Sequence, residues 1–236
     1  MTRPHLPPRP GAHVAPAPAV RLEGVSAAGN GAGGPGITLA LRPGEFVAVT
    51  GLPGAGKSAL LRLIAGLERP ASGTVSVAGV AVGALRGAAV ARFRFAHLGI
   101  ALPDMPLVDA LDLRENVALP LLLAGAPRGV ALERAAEVLR LAGVTGAAQT
   151  LAPEEATAGA RQLARVARAC VTSAQVLLLD EPTEGLEPAA AEGVLRWLRR
   201  LASVEGRTVV VATSRVAVAA HADREVRLRS GALEAA

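Results

Sequence analysis

The feature that most constrains the fold is a glycine-rich octapeptide between an apolar run and a helical pattern. The run Phe46–Thr50 is almost entirely apolar, which is typical of a β-strand buried on both faces. Beyond the octapeptide, leucine and isoleucine recur at helical spacing through residues 60–67. The octapeptide fits the pattern G-x-x-x-x-G-K-[ST] and reads Gly51-Leu52-Pro53-Gly54-Ala55-Gly56-Lys57-Ser58. A strand, this loop and a helix in succession predict a phosphate-binding unit.

The residues of this phosphate loop (residues 51–58) predict how it would hold a nucleotide. Its glycines allow backbone N–H groups to turn inward around phosphate oxygens, and the helix N-terminus adds a positive dipole. Lys57 can reach the β- and γ-phosphates, and the Ser58 hydroxyl can ligate Mg²⁺. Lys57 is the only lysine among the 25 basic residues, so a compact ammonium is needed at this position.

A second apolar run, which ends in two acids, supplies the other half of the predicted site. Residues 176–179 read Val-Leu-Leu-Leu and are followed by Asp180 and Glu181. Alone, such a run is an ordinary strand that meets solvent. Together with the phosphate loop it predicts that Asp180 holds Mg²⁺, directly or through water, and that Glu181 activates the attacking water. Glu181 and Lys57 are therefore the candidate catalytic residues.

The order of the remaining segments predicts the fold class. Strands are expected at residues 20–25, 36–41, 73–80, 175–179 and 208–213, with a hairpin within 225–233. Helices are expected near residues 111–123, 130–142, 159–172 and 188–202. Strands that alternate with helices predict an α/β fold with a largely parallel sheet, interrupted by a helical subdomain at about residues 104–172. Residues 1–19 contain six prolines and are expected to form a disordered leader before a domain at residues 20–236.

Composition limits the possible cellular locations and partners of the protein. No run of about 18 apolar residues occurs, and no secretory signal is recognisable, so a cytoplasmic location is expected. The single cysteine, Cys170, excludes an internal disulfide and lies in a helical apolar pattern that predicts a packing role. The net charge of +5 is modest and spread along the chain, which favours solvated arginines over a nucleic-acid partner.

Taken together, residues 20–235 resemble the ABC ATPase family. The resemblance rests on the phosphate loop, the acidic strand end and four further stretches: residues 66–73, Glu115-Asn116-Val117, Glu181-Pro182-Thr183 and residues 222–231. In detail the chain is most similar to the branch that serves lipoprotein-release, macrolide-export and cell-division transporters.

The resemblance implies a P-loop NTPase of the ABC type, with a β-rich first section and an inserted helical subdomain. It implies ATP and Mg²⁺ as cofactors, and a second ABC ATPase subunit, in a homo- or heterodimer that sandwiches two ATP molecules. Each site would join the phosphate loop of one subunit to a signature segment of the other. It also implies an integral membrane permease as partner and a peripheral location at the inner face of the cell membrane.

Several family positions are altered. The signature Leu-Ser-Gly-Gly-Gln falls on residues 156–160, Ala-Thr-Ala-Gly-Ala, where Thr157 and Gly159 are expected to contact nucleotide and Ala158 adds a methyl group. The coupling glutamine becomes Pro103, the aspartate after Glu-Pro-Thr becomes Glu187, and the switch histidine becomes Ser214, which can still hydrogen-bond a γ-phosphate. The adenine-stacking aromatic is missing from residues 26–30, which predicts weaker and less base-selective binding.

Two functions therefore remain open. An active ATPase subunit that powers a transporter is supported by Glu181, whereas a regulatory subunit with little hydrolysis is supported by Ser214 and Pro103. A GTPase or kinase fits less well, because a guanine-reading Asn-Lys-x-Asp needs a second lysine, and DNA-associated ABC ATPases usually carry coiled coils that are absent here. Residues 102–115 are a candidate surface for the membrane partner, or else pack within the helical subdomain.

Overall fold

The computed structural model describes residues 17–26 and 36–234, so most of the predicted leader lies outside the described residues. Residues 17–19 lead directly into the first strand, where the Ala19 amide donates to the Leu41 carbonyl at 2.8 Å. Within the described ranges the ten strands are β1 Val20–Ser26, β2 Ile37–Leu41, β3 Phe46–Thr50, β4 Ser72–Val77, β5 Val80–Ala81, β6 Leu98–Ala101, β7 Val176–Asp180, β8 Thr208–Thr213, β9 Arg224–Arg229 and β10 Ala232–Leu233.

Seven α-helices lie between or after these strands in the described residues. They are α1 Lys57–Ile64, α2 Ala88–His97, α3 Leu113–Leu123, α4 Arg128–Ala142, α5 Ala158–Cys170, α6 Pro188–Ser203 and α7 Val216–Ala219. Local chemistry fixes several helix starts. Asp112 and Glu115 form a reciprocal capping box at α3, Thr157 caps α5, and Pro188 occupies the first position of α6.

The strands form two sheets. The first is antiparallel, in the order β2-β1-β4-β5, and the second has the order β10-β9-β3-β8-β7-β6. In the second sheet β3, β6, β7, β8 and β9 run parallel, and β10 closes a hairpin with β9. The register pairs Thr50 with Thr213 and Asp180 with Ala212. The carboxyl ends of β3, β7 and β8 therefore meet at one edge, where ligands bind in open α/β sheets.

The core has two layers, one on each face of the parallel sheet. Alternate residues such as Leu177 and Val209 pack against α3–α6, whereas Val176 and Val210 pack against α1 and the antiparallel sheet. Burial on both faces explains why β3, β7 and β8 are continuous apolar runs. Cys170 belongs to the helical layer, and burial raises the pKa of its thiol to about 12, which confirms the predicted packing role.

The predicted α/β architecture is confirmed, but α2 and β6 were not expected from the sequence. Only Phe93 is buried in α2, so this helix has no apolar stripe that a periodicity search could find. β6 contains Gly99, where an added Cβ would lie 1.9 Å from the Ala169 carbonyl oxygen of α5. This close approach of backbone to backbone requires glycine and hides the strand among small residues.

Helices α3, α4 and α5 lie between β6 and β7, where the helical insertion was predicted. Predicted helix ends differ by about two residues, as is normal where a terminal turn frays. The bounds 104–172 of a helical subdomain, like the whole domain division, remain a prediction. None of the helices within residues 17–26 and 36–234 has the length and hydropathy needed to cross a bilayer.

Candidate functional site

The phosphate loop leaves β3 and opens α1 at the carboxyl edge of the parallel sheet. Gly51 has φ 150°, and a Cβ there would lie 2.4 Å from the Leu228 carbonyl oxygen of β9, so only glycine fits. Gly56 precedes α1 in a left-handed conformation with φ 100°. No side chain of the described residues caps the start of α1, so the first-turn amides remain free to bind an anion.

Lys57 is the cation of this loop. Its side chain is buried, with 8% of the residue exposed. Nζ donates to the carbonyls of Gly51 at 2.7 Å and Leu52 at 3.3 Å, so the backbone of the loop holds the ammonium group in place. A lysine head group held at the centre of a glycine-rich loop can serve as a point charge for phosphate oxygens.

Asp180 ends β7 beside the phosphate loop. Burial raises the pKa of its carboxyl group, and the negative charge of Glu181 adds to this, whereas the Ser58 hydroxyl and the charges of Lys57 and Arg62 lower it. The Asp180 Oδ2 atom is buried and accepts no hydrogen bond from any residue that the structure describes. A divalent cation near the Ser58 hydroxyl would give this oxygen a partner, so these oxygen donors fit Mg²⁺.

A protein-only metal cage is not part of this site. The described residues contain no group of three or more His, Cys, Asp or Glu side chains that could hold a metal. Mg²⁺ is usually bound by one or two protein oxygens together with phosphates and waters, which agrees with the sparse donor set of Ser58 and Asp180.

Glu181 follows Asp180 and is held by two neighbouring elements. Its backbone has φ 44°, a left-handed conformation that is rare for a non-glycine residue. Its amide donates to the Ala212 carbonyl at 2.8 Å, and its carbonyl accepts from Gln162 Nε2 at 3.0 Å. Its carboxylate accepts from Thr213 Oγ1 at 2.9 Å, Ser214 N at 2.7 Å and Ser214 Oγ at 3.0 Å.

Thr157 and Gly159 lie at the start of α5. The Thr157 Oγ1 atom accepts from the Ala160 amide at 3.1 Å, so this exposed hydroxyl acts as a helix cap. They line a cleft together with residues 143–145 and 185–187. The cleft beside the phosphate loop is instead lined by residues 50–55, Ser214 and strand β9. Within one chain, the structure therefore does not bring Thr157 and Gly159 to the phosphate loop.

Gly159 has no steric reason of its own to be glycine. A Cβ added there would meet Leu186 Cδ2 at 3.7 Å and Thr157 Oγ1 at 4.0 Å, which are ordinary van der Waals distances. Glycine inside a helix costs about 0.5–1 kcal/mol relative to alanine. The fold of the described residues thus gains nothing from this glycine, in contrast to Gly51.

The other altered positions are exposed. Pro103 lies just beyond β6, Glu187 precedes α6 without capping it, and Ser214 follows β8. Of the residues at the missing adenine-stacking position, 27–30 lie outside the described part of the chain. That prediction is therefore untested.

Sequence reasoning missed Thr213 and Gln162 as contacts of Glu181. A signal existed for Thr213, because pairing β7 with β8 as neighbouring parallel strands puts the residues after Asp180 and Ala212 side by side. Gln162 contacts Glu181 from α5, 19 residues away, and no local sequence pattern predicts this contact.

Comparison with known proteins gives the family. The ABC transporter family model matches residues 35–184. The lipoprotein-releasing system ATP-binding protein LolD of Chromohalobacter salexigens is 38% identical over 197 residues, covering 84% of this chain and 83% of the relative. The macrolide export ATP-binding/permease protein MacB of Wolinella succinogenes is 36% identical over 222 residues, covering 91% of this chain and 34% of the relative.

The fold agrees with these sequence matches. It is similar to the dimeric ATP-binding cassette MJ0796 in a post-hydrolysis state bound to ADP and Pi, with a TM-score of 0.86 and 27% identity over 92% of this chain and 97% of that chain. The predicted P-loop fold of the ABC type, and the resemblance to the lipoprotein-release and macrolide-export branch, are thereby confirmed. The chain belongs to the ABC transporter family and is one of its ATP-binding subunits, an ABC-type ATPase.

Proposed function

We propose that this subunit binds Mg-ATP through residues 51–58 and Asp180, and hydrolyses it with Glu181 as general base to drive an integral membrane permease. The observation that carries the proposal is the buried, unpartnered Asp180 Oδ2 beside Ser58, next to a carboxylate that is already oriented. A buried carboxylate oxygen without a donor is unfavourable unless a ligand supplies one.

The phosphate loop provides the binding energy for the nucleotide. The free amides of the first turn of α1 and the Lys57 ammonium group neutralise phosphate charge. Ser58 and Asp180 would hold Mg²⁺, which when bound supplies charge neutralisation at the phosphate oxygens. Both Lys57 and Asp180 are buried, so their electrostatic effect acts with little screening by water.

Glu181 performs the proton chemistry in this mechanism. Its carboxylate accepts a hydrogen bond from the attacking water and orients it toward the γ-phosphate. Because its backbone is fixed by bonds to β8 and α5, little reorganisation is needed at the moment of reaction.

A second ABC subunit completes the site. Thr157 and Gly159 lie apart from the phosphate loop of their own chain, so we propose that they contact nucleotide held by the other subunit. The glycine at position 159, which the chain's own packing does not need, supports this assignment. The solved relative MJ0796 is itself described as a dimer.

The permease would dock on a groove beside residues 102–115, at the inner face of the membrane. An apolar cleft there is bordered by α2, β6, α3 and α5, and large apolar side chains stand exposed on its walls: Phe95 is 41% exposed and Leu123 is 75% exposed. Val108 is 41% exposed within the candidate segment itself, whereas Leu102 and Leu107 are buried. Part of this segment therefore packs inward, and part is available to an apolar helix of the permease.

Val108→Asp tests this docking surface. We expect loss of co-purification with the permease and unchanged thermal unfolding, because the side chain is exposed. Val204→Asp is the matched control, because Val204 is an apolar residue, 71% exposed, at the end of α6. Equal permease recovery with Val108→Asp would remove residues 102–115 from the proposed interface.

The decisive experiment for the whole proposal is Mg-ATP hydrolysis with Glu181→Gln, measured alone and with the permease. We expect turnover to fall to background while ATP binding persists. Glu184→Gln is the matched control, since Glu184 is an exposed acid three residues further on. Lys57-dependent binding without Glu181-dependent turnover in any combination would instead assign the chain to the regulatory class.

A further inference from the structure

Ser214 occupies the position of the family's switch histidine, yet its hydrogen-bonding capacity is directed at Glu181. Its backbone N–H and its hydroxyl both donate to the same carboxylate oxygen, Oε1, at 2.7 and 3.0 Å. Thr213, the last residue of β8, donates from Oγ1 to the other oxygen, Oε2, at 2.9 Å. We call these two residues the glutamate clamp.

The clamp determines which part of the carboxylate remains free. A carboxylate offers about four lone-pair sites, two on each oxygen. Both sites of Oε1 are filled by Ser214, and one site of Oε2 is filled by Thr213. One acceptor site, on Oε2, is left for a water molecule. The clamp thus leaves Oε2 as the oxygen with capacity for a further donor.

The rest of Glu181 is also fixed, so the clamp acts on a rigid base. Its left-handed backbone is held at the amide by Ala212 and at the carbonyl by Gln162. Thr213 is fully buried at the strand end, and its hydroxyl also accepts from the Arg215 amide at 3.0 Å. Because the Glu181 backbone and the buried Thr213 hydroxyl make further hydrogen bonds, the exposed Ser214 hydroxyl is the least constrained member of the clamp.

We propose that Ser214 is a positioning residue that orients Glu181 for water activation, and that it acts on the γ-phosphate only through Glu181. This rests on the proposed function, in which Glu181 is the general base. A neutral hydroxyl suffices for this role, because the role requires a donor to a carboxylate and not a positive charge. Turnover would then not require a histidine at this position.

The kinetic test compares Ser214→Ala with Ser214→Thr. Losing one of three donors to a charged acceptor should lower kcat about three- to tenfold without changing KM, and threonine should restore it. Ser203→Ala is the control, since Ser203 Oγ donates to the Arg199 carbonyl on the exposed side of α6, away from Glu181. A changed KM with unchanged kcat, or no rescue by threonine, would overturn the positioning role.

A test without turnover uses nucleotide affinity in the Glu181→Gln background. If Ser214 acts only through Glu181, then Ser214→Ala should leave the ratio of ATP to ADP affinity unchanged. A severalfold fall in that ratio means that Ser214 binds the γ-phosphate directly, and the inference fails. Failure of the proposed function is a separate result, namely the absence of Lys57-dependent Mg-ATP binding.

The contact itself is tested by thermal unfolding. Ser214→Ala should lower the unfolding midpoint by about 2–4 °C when Glu181 is present, and should have no effect in a Glu181→Ala background. Equal shifts in both backgrounds would show that the Ser214 hydroxyl does not engage the carboxylate, whatever the turnover.

Discussion

The two halves of this site differ in how the rest of the chain constrains them. Lys57 and Asp180 are each 8% exposed and belong to the core edge of the parallel sheet. Thr157, Pro103 and Ser214, at family positions that differ or are only partly kept, are exposed. The buried half of the site is retained, and the altered family positions are exposed. We therefore expect nucleotide binding to be intrinsic to this chain and turnover to require its partners.

Two glycines illustrate this difference. Gly51 cannot be replaced without moving β9, because a Cβ would lie 2.4 Å from a backbone oxygen. Gly159 could become alanine with only ordinary contacts inside its own chain. The first glycine is required by the fold itself, whereas the second would be required only by the contact that we propose with the nucleotide of the other subunit.

The largest effect is expected from Lys57→Ala. Removing a buried charge that pairs with phosphate costs about 2–5 kcal/mol, so ATP affinity should fall about thirtyfold to several thousandfold. Calorimetric titration with Mg-ATP measures this directly. Lys57→Arg keeps the charge but places a planar fork where Nζ lies 2.7 Å from the Gly51 carbonyl oxygen, so affinity should fall as well. ATP binding of normal strength in Lys57→Arg would contradict the inference that a compact ammonium group is needed at this position.

Gly159→Ala should separate stability from function. The free energy of unfolding should rise by about 0.5–1 kcal/mol, because alanine replaces a helical glycine and its Cβ makes only ordinary van der Waals contacts. Turnover should fall at least about tenfold, because the added methyl group displaces a backbone donor from the nucleotide of the other subunit. Denaturant unfolding and ATPase assays measure the two quantities on the same samples.

Gly193→Ala is the matched control for that experiment. Gly193 lies in α6 with nothing within 4 Å of an added Cβ, so the same gain in stability is expected without loss of turnover. Unchanged turnover in Gly159→Ala would show that the start of α5 does not contact nucleotide. The exposed half of the site would then have no proposed role in hydrolysis at this position.

The limits of sequence prediction follow the same division. The strands β3, β7 and β8 are buried on both faces, so their apolar runs predict them without any knowledge of the fold. α2 buries one phenylalanine and leaves no periodic signal. The bonds from Gln162 and Thr213 to Glu181 join residues 19 and 32 positions apart, so they depend on tertiary packing. Local patterns thus predicted the phosphate loop and its acids, but not the groups that hold Glu181.

Ala158→Gly tests the altered, exposed half of the site by restoring a family residue. Restoring glycine next to Gly159 removes a methyl group from an exposed position at the start of α5. If that methyl group weakens closure on nucleotide by about 0.5–1 kcal/mol, turnover should rise about two- to fivefold. The unfolding free energy should fall slightly, because glycine is a weaker helix former. A rise in turnover would show that the altered segment still operates, whereas a fall would show that it has adapted to alanine.

The smallest effect concerns the base of the nucleotide. Stacking of a base on an aromatic ring is worth about 1–3 kcal/mol, and the family position at residues 26–30 offers no aromatic side chain. Phosphate contacts are blind to the base, so ATP and GTP should differ less than about tenfold in dissociation constant. Ala28→Tyr should tighten ATP binding by less than Lys57→Ala weakens it, because stacking is worth about 1–3 kcal/mol and the lysine charge about 2–5 kcal/mol. A strong preference for ATP over GTP in the unmodified chain would contradict this prediction. It would mean that residues outside positions 26–30 and the phosphate loop recognise adenine.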